Sequence, residues 1–289
     1  MRYRFLCFPE GKQKAVTFSY DDGVRSDIRL TEIFKKYNAK GTFNINSGMI
    51  PEKSGEKRIT ANEIEEFILN RGHEVAVHGD LHCAPGVSSP LKITKDVLDC
   101  RLKLEELFSR IIRGMAYPDS GVTNFQNGTD YETVKTILCN LGITYSRSLS
   151  NDNNSFKLPT DWHNWIPTCH HNNPHALEWA KEFAELDFEN SPSLYGAHRW
   201  PKLFYVWGHS YEFDNNDNWE RIEQLCEILC NKEDTWYATN GEICEYVKAY
   251  ESLVFSVDDS MVYNPTSQKI WFETDGVKYC VGAGETLKI

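Results

Sequence analysis

Four short segments carry side chains able to do chemistry. Tyr20-Asp21-Asp22-Gly23 sets two adjacent carboxylates after the apolar run Ala15-Val16-Thr17-Phe18. His78-Gly79-Asp80-Leu81-His82 offers two imidazoles four residues apart. Ala116-Tyr117-Pro118 ends a third run in a proline turn, and Trp207-Gly208-His209 places one histidine after Leu203-Phe204-Tyr205-Val206. Two imidazoles and a carboxylate suit a borderline divalent cation such as zinc and leave positions open for water and substrate. Asp22, His78 and His82 are the candidate ligands. The four-residue spacing predicts that both rings face one side, provided the backbone turns helically after the strand. Asp21 is then free to take a proton from an activated water. Read singly, a histidine pair is more often a surface or core pair, and Asp21 would be a helix cap. The order and spacing of the segments give them weight together.

The bulk properties narrow the field. A chain of 289 residues can bury one large core, or one core and a small appendage. Net charge is −11 and basic residues are scattered, which argues against a nucleic-acid partner. No run approaches the ~20 apolar residues of a membrane span, so no membrane partner is expected. Met1 to Cys7 lacks an apolar stretch long enough for a secretory signal. Nine cysteines, odd in number and scattered, suggest reduced thiols and a cytoplasmic setting. The sequons Asn127-Gly128-Thr129 and Asn153-Asn154-Ser155 then carry little weight.

The elements that must position these residues follow a strand–helix rhythm. Candidate strands cover 15–19, 41–46, 73–78, 114–117, 143–147, 203–207 and 235–239. Thr60-Ala61-Asn62-Glu63 is a capping box opening a helix with Ile64, Phe67 and Ile68 on one face. Tyr131 to Leu141 repeats the helical pattern, and Asn218 is placed to cap another helix. Strands alternating with helices imply parallel βα units, in an open sheet or a closed barrel. All four chemical segments fall at carboxyl ends of expected strands, where such folds keep their active sites. From about 251 to 289 the pattern alternates without helices, and Asp275-Gly276 signals a type I′ hairpin. This reads as a small C-terminal antiparallel β module packed on a main domain of residues 1–250. The stretch from about 148 to 202 reads as a long insertion, of the kind that serves as a lid or binding loop.

Together the four segments resemble the NodB-type polysaccharide deacetylases, the family 4 carbohydrate esterases. The resemblance covers roughly residues 1–250. It implies an α/β fold, an irregular (β/α)7 barrel, and a hydrolase that uses metal-activated water to remove acetyl groups from N-acetylated or O-acetylated sugars. It assigns the metal to Asp22, His78 and His82, with Zn2+ favoured and Co2+, Ni2+ or Fe2+ open. Asp21 becomes the base, and His209, in the place of the family's Leu-x-His histidine, the acid. Trp207 stands where the family has leucine and would line the acyl pocket, with Tyr117 and Asp119 nearby. A backbone N–H near Asp119 would serve the oxyanion.

The family orients its base with an arginine. Arg113 lies five residues before Pro118, over ~15 Å back along an extended strand. Arg147, at the end of the next strand, is better placed to hold Asp21. In Asp161-Trp162-His163-Asn164-Trp165, which resembles the family's Asp-Trp motif, Asp161 would pair with that arginine. Trp162 and Trp165 would stack on sugar. Gly79 replaces the usual Ser or Thr between the histidines, removing a loop-bracing hydroxyl. Cys169-His170-His171 is a weak second metal candidate, His73 reads as structural, and Cys226 and Cys230 as core thiols. Three alternatives remain open: an allantoinase-like C–N hydrolase of a non-sugar substrate, an O-acetyl xylan esterase, and a non-catalytic sugar-binding protein. The sequence leaves the oligomeric state open.

Overall fold

Alternation along the strands decides what faces the barrel lumen and what faces the helices. The computed structural model describes residues 3–55, 57–119, 129–149, 156–188 and 196–289. Strand β1 (Arg4–Cys7) lies outside the barrel. The barrel strands are β2 (Lys14–Asp21), β3 (Gly41–Ile45), β4 (Glu74–Val77), β5 (Gly114–Ala116), β6 (Tyr145–Arg147), β7 (Cys169–His170) and β8 (Lys202–Gly208). β2 is buried throughout and pairs in parallel with β3 on one edge and β8 on the other. Parallel pairing continues from β3 to β6, and β7 pairs with β8. Between β6 and β7 the Trp165 backbone closes the ring, donating to Ser146 O at 3.1 Å and accepting from Ser148 N at 3.0 Å. The result is an irregular α/β (β/α)7 barrel.

On β2, Val16, Phe18 and Tyr20 join the apolar layer under the helices. Thr17, Ser19 and Asp21 fall on the other face, in line with the two-residue period of a strand. The same parity sends Phe43, Val75, Val77, Met115, Tyr117, Phe204 and Val206 outward into the apolar layer. It turns Asn44, His78, Arg147 and Trp207 toward the lumen. The outer layer packs on helices α1 (Asp27–Tyr37), α2 (Ala61–Phe67), α3 (Pro90–Phe108), α4 (Tyr131–Asn140) and α5 (Ala176–Ala184). Phe18 and Phe34 rings meet at 4.8 Å, and fully burying each stabilises the fold by about 1.5–3 kcal/mol.

The chain continues through α6 (Tyr211–Asn215), α7 (Glu220–Leu229), β9 (Thr235–Tyr237) and α8 (Asn240–Glu251). The amino end of α8 plugs the barrel floor: Gly241 N donates to Glu74 at 2.8 Å, and Asn240 N to Thr42 Oγ1 at 2.9 Å.

Several expectations are met and several corrected. The capping box of Thr60 and Glu63 is formed. Asn218 does not cap: its amide donates to Asn172 Oδ1 at 3.0 Å, and Trp219 precedes α7. The strand expected at 235–239 is outside the ring; as β9 it pairs with β2 over Lys14–Val16. The seventh ring strand is β7, hidden in the supposed insertion. That segment also supplies α5 and is a barrel unit rather than a separate lid. A two-residue strand gives no periodicity to read.

The tail forms β10 (Val254–Phe255), β11 (Met261–Tyr263), β12 (Ile270–Thr274), β13 (Val277–Val281) and β14 (Thr286–Lys288). Asp275 and Gly276 both have positive φ, as the type I′ hairpin requires. One sheet runs β10-β11-β14. The other runs β1-β12-β13, so the amino-terminal strand completes the tail and the two cannot be divided at residue 250. Tyr246 Oη donates to Cys7 O at 3.1 Å and accepts from Trp271 N at 2.9 Å, joining α8 to both. The sequon residues Asn127, Gly128 and Asn153 to Ser155 lie outside the described residues.

Candidate metal and catalytic centre

The lumen opens at the carboxyl ends of the strands, where Asp21 ends β2 facing inward. Asp22 follows with φ +83°, a left-handed conformation uncommon for a residue with a side chain. Its N–H donates to Asn44 O at 2.9 Å, while the Arg58 guanidinium grips its carbonyl and lies 3.7 Å from its Oδ1. The turn is thus held from both sides.

His78 leaves β4 with its N–H on Ile45 O at 3.1 Å and its Nδ1 2.9 Å from Ala116 O. A carbonyl only accepts, so the ring proton sits on Nδ1 and Nε2 presents a lone pair. The loop to His82 is not the helical turn expected, because Gly79 (φ +75°) and His82 (φ +58°) are both left-handed. Asp96 of α3 braces it, accepting from Leu81 N at 2.7 Å and Cys83 N at 3.3 Å. This carboxylate stands in for the loop-bracing hydroxyl that Gly79 lacks.

Asp22 Oδ1 lies 4.0 Å from His78 Nε2 and 3.9 Å from His82 Nε2. Bonds of about 2.0–2.1 Å in a tetrahedron separate ligand atoms by roughly 3.3 Å. The three groups, already within 4.8 Å of one another, fit a divalent metal with a small contraction.

Asp21 sits beside this triad, buried, with Asn44 Nδ2 donating to its Oδ1 at 2.8 Å. The buried Arg147 guanidinium pairs with Oδ2, and its other side lies 4.5 Å from the centre of the Trp207 ring. Burial pushes the Asp21 carboxyl up. Arg147, aided by His78, His209 and Asn44, outweighs this and holds it below the usual carboxylate range. His209 Nε2 is 3.9 Å from Asp21 Oδ2. Burial disfavours the His209 cation, but Glu212, whose Oε1 is 3.0 Å from Nδ1, and Asp21 raise it above the ordinary imidazole value. The site therefore holds an ionised carboxylate next to a protonatable imidazole.

Of the other predicted residues, Trp207 stands at the site, half-buried, between Arg147 and His209. Asp119, with φ +49°, lies at its rim with Oδ1 3.8 Å from His82 Nδ1. Tyr117 does not reach it: the outward parity of β5 buries its ring in the apolar layer, and its hydroxyl donates to His163 O at 2.8 Å. Asp161 does not pair with Arg147. It accepts from Tyr131 Oη at 2.6 Å, Lys135 Nζ at 2.8 Å and His163 N at 3.0 Å, fixing the turn at 162–164. Trp165 is core, edge-on to Tyr205 at 5.0 Å, and Trp162 packs against it at 4.9 Å. Trp165 is therefore closed to a sugar, while Trp162 is partly exposed. Arg113 lies at the start of β5, donating to Gly142 O at 3.3 Å. Sequence reasoning missed Arg58, Asp96 and Glu212. Glu212 alone carried a signal, three residues after His209 in a short helix.

Residues 9–144 match the family model described as polysaccharide deacetylase. No curated protein matches the chain. Among solved structures, the Streptococcus pyogenes deacetylase PplD in complex with acetate is 22% identical, with a TM-score of 0.41 over 47% of this chain. This chain spans only 55% of the PplD chain. A Mycobacterium smegmatis protein assigned as a polysaccharide deacetylase is 18% identical, with a TM-score of 0.54 over 87% of this chain and 96% of that one. The Xyl-CE4 domain of a multidomain xylanase from the hindgut metagenome of Trinervitermes trinervoides is 14% identical, with a TM-score of 0.52 over 82% and 92%. At these identities the last two likenesses bear on the fold. Residues 9–144, which hold Asp21, Asp22, His78 and His82, thus match the polysaccharide deacetylase model, and the barrel around them has the fold of the last two structures.

Proposed function

We propose that the protein is a metal-dependent hydrolase that removes acetyl groups from N-acetylated or O-acetylated sugars. One observation carries the reading. Asp21 Oδ2 stands 3.9 Å from both His78 Nε2 and His209 Nε2, which supports a reading of Asp21 as a base adjoining the proposed ligand set and the proposed acid. A divalent metal on Asp22, His78 and His82, with zinc the first choice, supplies Lewis acidity toward water and the acetyl carbonyl when bound.

The remaining work belongs to the chain. Asp21, kept ionised by Arg147, takes the proton of the attacking water. Arg147 and Asn44 fix the carboxylate so that this proton meets Oδ2. His209 holds a proton on Nε2 and delivers it to the leaving nitrogen or oxygen. Trp207 covers Arg147 and gives the site an apolar wall for the acetyl methyl group. The substrate is a carbohydrate or a related small molecule, and cytoplasm is the proposed setting.

The test is acetate release from N-acetylated oligosaccharides and O-acetylated xylan fragments by chelated protein, zinc-restored protein and Asp21→Asn. Release that needs zinc and disappears in Asp21→Asn supports the reading, and the preferred substrate separates amide from ester hydrolysis. Bound zinc with no acetate from any substrate defeats it.

A further inference from the structure

The β2–β8 ladder ends at the pair Tyr20 and Gly208. Beyond it one strand enters the Asp21-Asp22-Gly23 turn and the other reaches His209, so the ladder no longer joins them. Two serine–aspartate bonds join the segments again, one in each direction. Ser210 Oγ donates to Asp27 Oδ1 at 2.5 Å, and Ser26 Oγ donates to Asp214 Oδ2 at 2.5 Å. Ser26 stands just before α1 and Ser210 just before α6, so each helix start gives one hydroxyl and takes one.

The two bonds differ in setting. Ser26 and Asp214 meet at the surface, where Trp219 Nε1 also donates to Asp214 Oδ1 at 2.8 Å. Ser210 and Asp27 are both buried. Asp27 Oδ2 accepts from Val24 N at 2.9 Å, while Asp27 N donates to Val24 O at 3.0 Å. One carboxyl therefore closes the turn after Asp22 and Gly23 and grips the residue next to His209. Burial pushes that carboxyl up to about 7, and the charges of Asp22 and Asp21 add to the rise. Both bonds survive its protonation. Ionised, it accepts from Ser210 and Val24; protonated, it can donate to Ser210, whose hydroxyl accepts as well as donates.

We propose that Asp27 and Ser210 are positioning residues that fix His209 against Asp21, so that the acid and the base keep their spacing where the sheet has ended. This rests on the reading of Asp21 as the base and His209 as the acid. The groups facing His209 are Glu212 on α6, Asp21 and Asp22 at the end of β2, and Tyr211, whose ring is 5.2 Å away. Glu212 travels with His209, because its N–H donates to His209 O at 3.0 Å. Asp21 does not. Loss of the buried bond therefore draws His209 from Asp21 and leaves its contact with Glu212 in place.

The test follows the His209 ring by NMR titration of the zinc-loaded full chain, with zinc affinity by calorimetry and steady-state kinetics in parallel. Ser210→Ala should lower the His209 midpoint by about half a pH unit, because a carboxylate that favours the cation has moved away. Zinc affinity should hold, and kcat for acetate release should fall about tenfold with KM kept. Asp27→Ala should lower the midpoint equally and also weaken zinc binding, since Val24 N is released as well. The double variant should lower the midpoint no further, because both changes remove the same bond. Asp27→Asn loses the same charge as Asp27→Ala, but its amide can donate to Ser210 and its carbonyl can accept from Val24 N. It should titrate as the parent does. No fall in Ser210→Ala, additive falls in the double variant, or equal falls in Asp27→Asn and Asp27→Ala overturn the proposal. If Asp27→Ala does not fold, a fall in Ser210→Ala with none in Asp27→Asn upholds it, and any other pair of results defeats it. Titration needs no turnover, so the expected pattern in a protein that releases no acetate would uphold the clamp and defeat only the functional reading.

Discussion

Arg147 crosses the lumen from β6 to pair with Asp21 on β2, and both groups are buried. Among the described residues its Nε and Nη1 have no hydrogen-bond partner, so the ion pair and the Trp207 face carry its charge. Removing one member of a buried pair leaves the other uncompensated, at a cost of about 3–5 kcal/mol. Arg147→Ala should lose about that much in chemical denaturation. It should also lower turnover roughly 10- to 100-fold with zinc content kept, because the base is misplaced while the ligands are not. Equal losses of zinc and activity would show that Arg147 supports the ligand set rather than the base.

Metal removal should separate the two proposed histidine ligands. His78 is buried and tied to Ala116 O, whereas His82 is a quarter exposed in a loop. His82→Ala should abolish high-affinity zinc binding at a cost of about 1 kcal/mol or less to the metal-free fold, as befits a part-exposed side chain. His78→Ala should lose zinc and also a buried hydrogen bond worth about 1–3 kcal/mol. Thermal melts with zinc and with chelator provide the check, since a ligand that binds only the native state raises the melting point. A zinc-induced rise that survives in His82→Ala would place the metal elsewhere.

How far this site was legible follows from strand parity. Asp21, His78, Arg147, Trp207 and His209 were named from motifs at strand ends, and all five lie at or just beyond the carboxyl ends of barrel strands. Tyr117 belongs to the opposite register and was misassigned because a proline turn next to it drew attention to the loop rather than to the face. Asp161 and Trp165 were read from a local motif, yet Lys135 and Tyr131, far off in sequence, decide where Asp161 goes. β7 is too short to show a period, and hiding it made a barrel unit resemble an insertion. Arg58 and Asp96 act through backbone groups of the ligand loops. A sequence gives no sign of such contacts until the chain is folded.

The pH profile of acetate release should be a broad bell. Asp21 is held below the ordinary carboxylate range, so its base form fails only as pH falls through that depressed value, below about 4. His209 is raised above the ordinary value, so its acid form is complete at low pH and is lost as pH rises through a point above about 6.5. Measuring kcat/KM from pH 4 to 9 checks the alkaline limb, and activity should hold to the acid end of that range. An alkaline limb below 6.5 would mean that another group gives up the proton.

Gly79 offers the sharpest structural test, because the family's usual hydroxyl residue should fail there. A Cβ at this position would stand 2.2 Å from Asp96 Oδ2, and φ is +75°, so strain and collision act together. Gly79→Ser must displace the carboxylate that holds Leu81 N and Cys83 N, and with it the path of the loop to His82. We expect about 1–3 kcal/mol of destabilisation, the usual cost of overpacking, with weakened zinc affinity. Asp96→Asn leaves Gly79 unstrained but gives up the charge that accepts both N–H groups, so it should weaken zinc binding with a smaller loss of stability. Isothermal titration with zinc and denaturant melts on both variants provide the check. If Gly79→Ser binds zinc as the parent does, Asp96 is not what sets the position of His82.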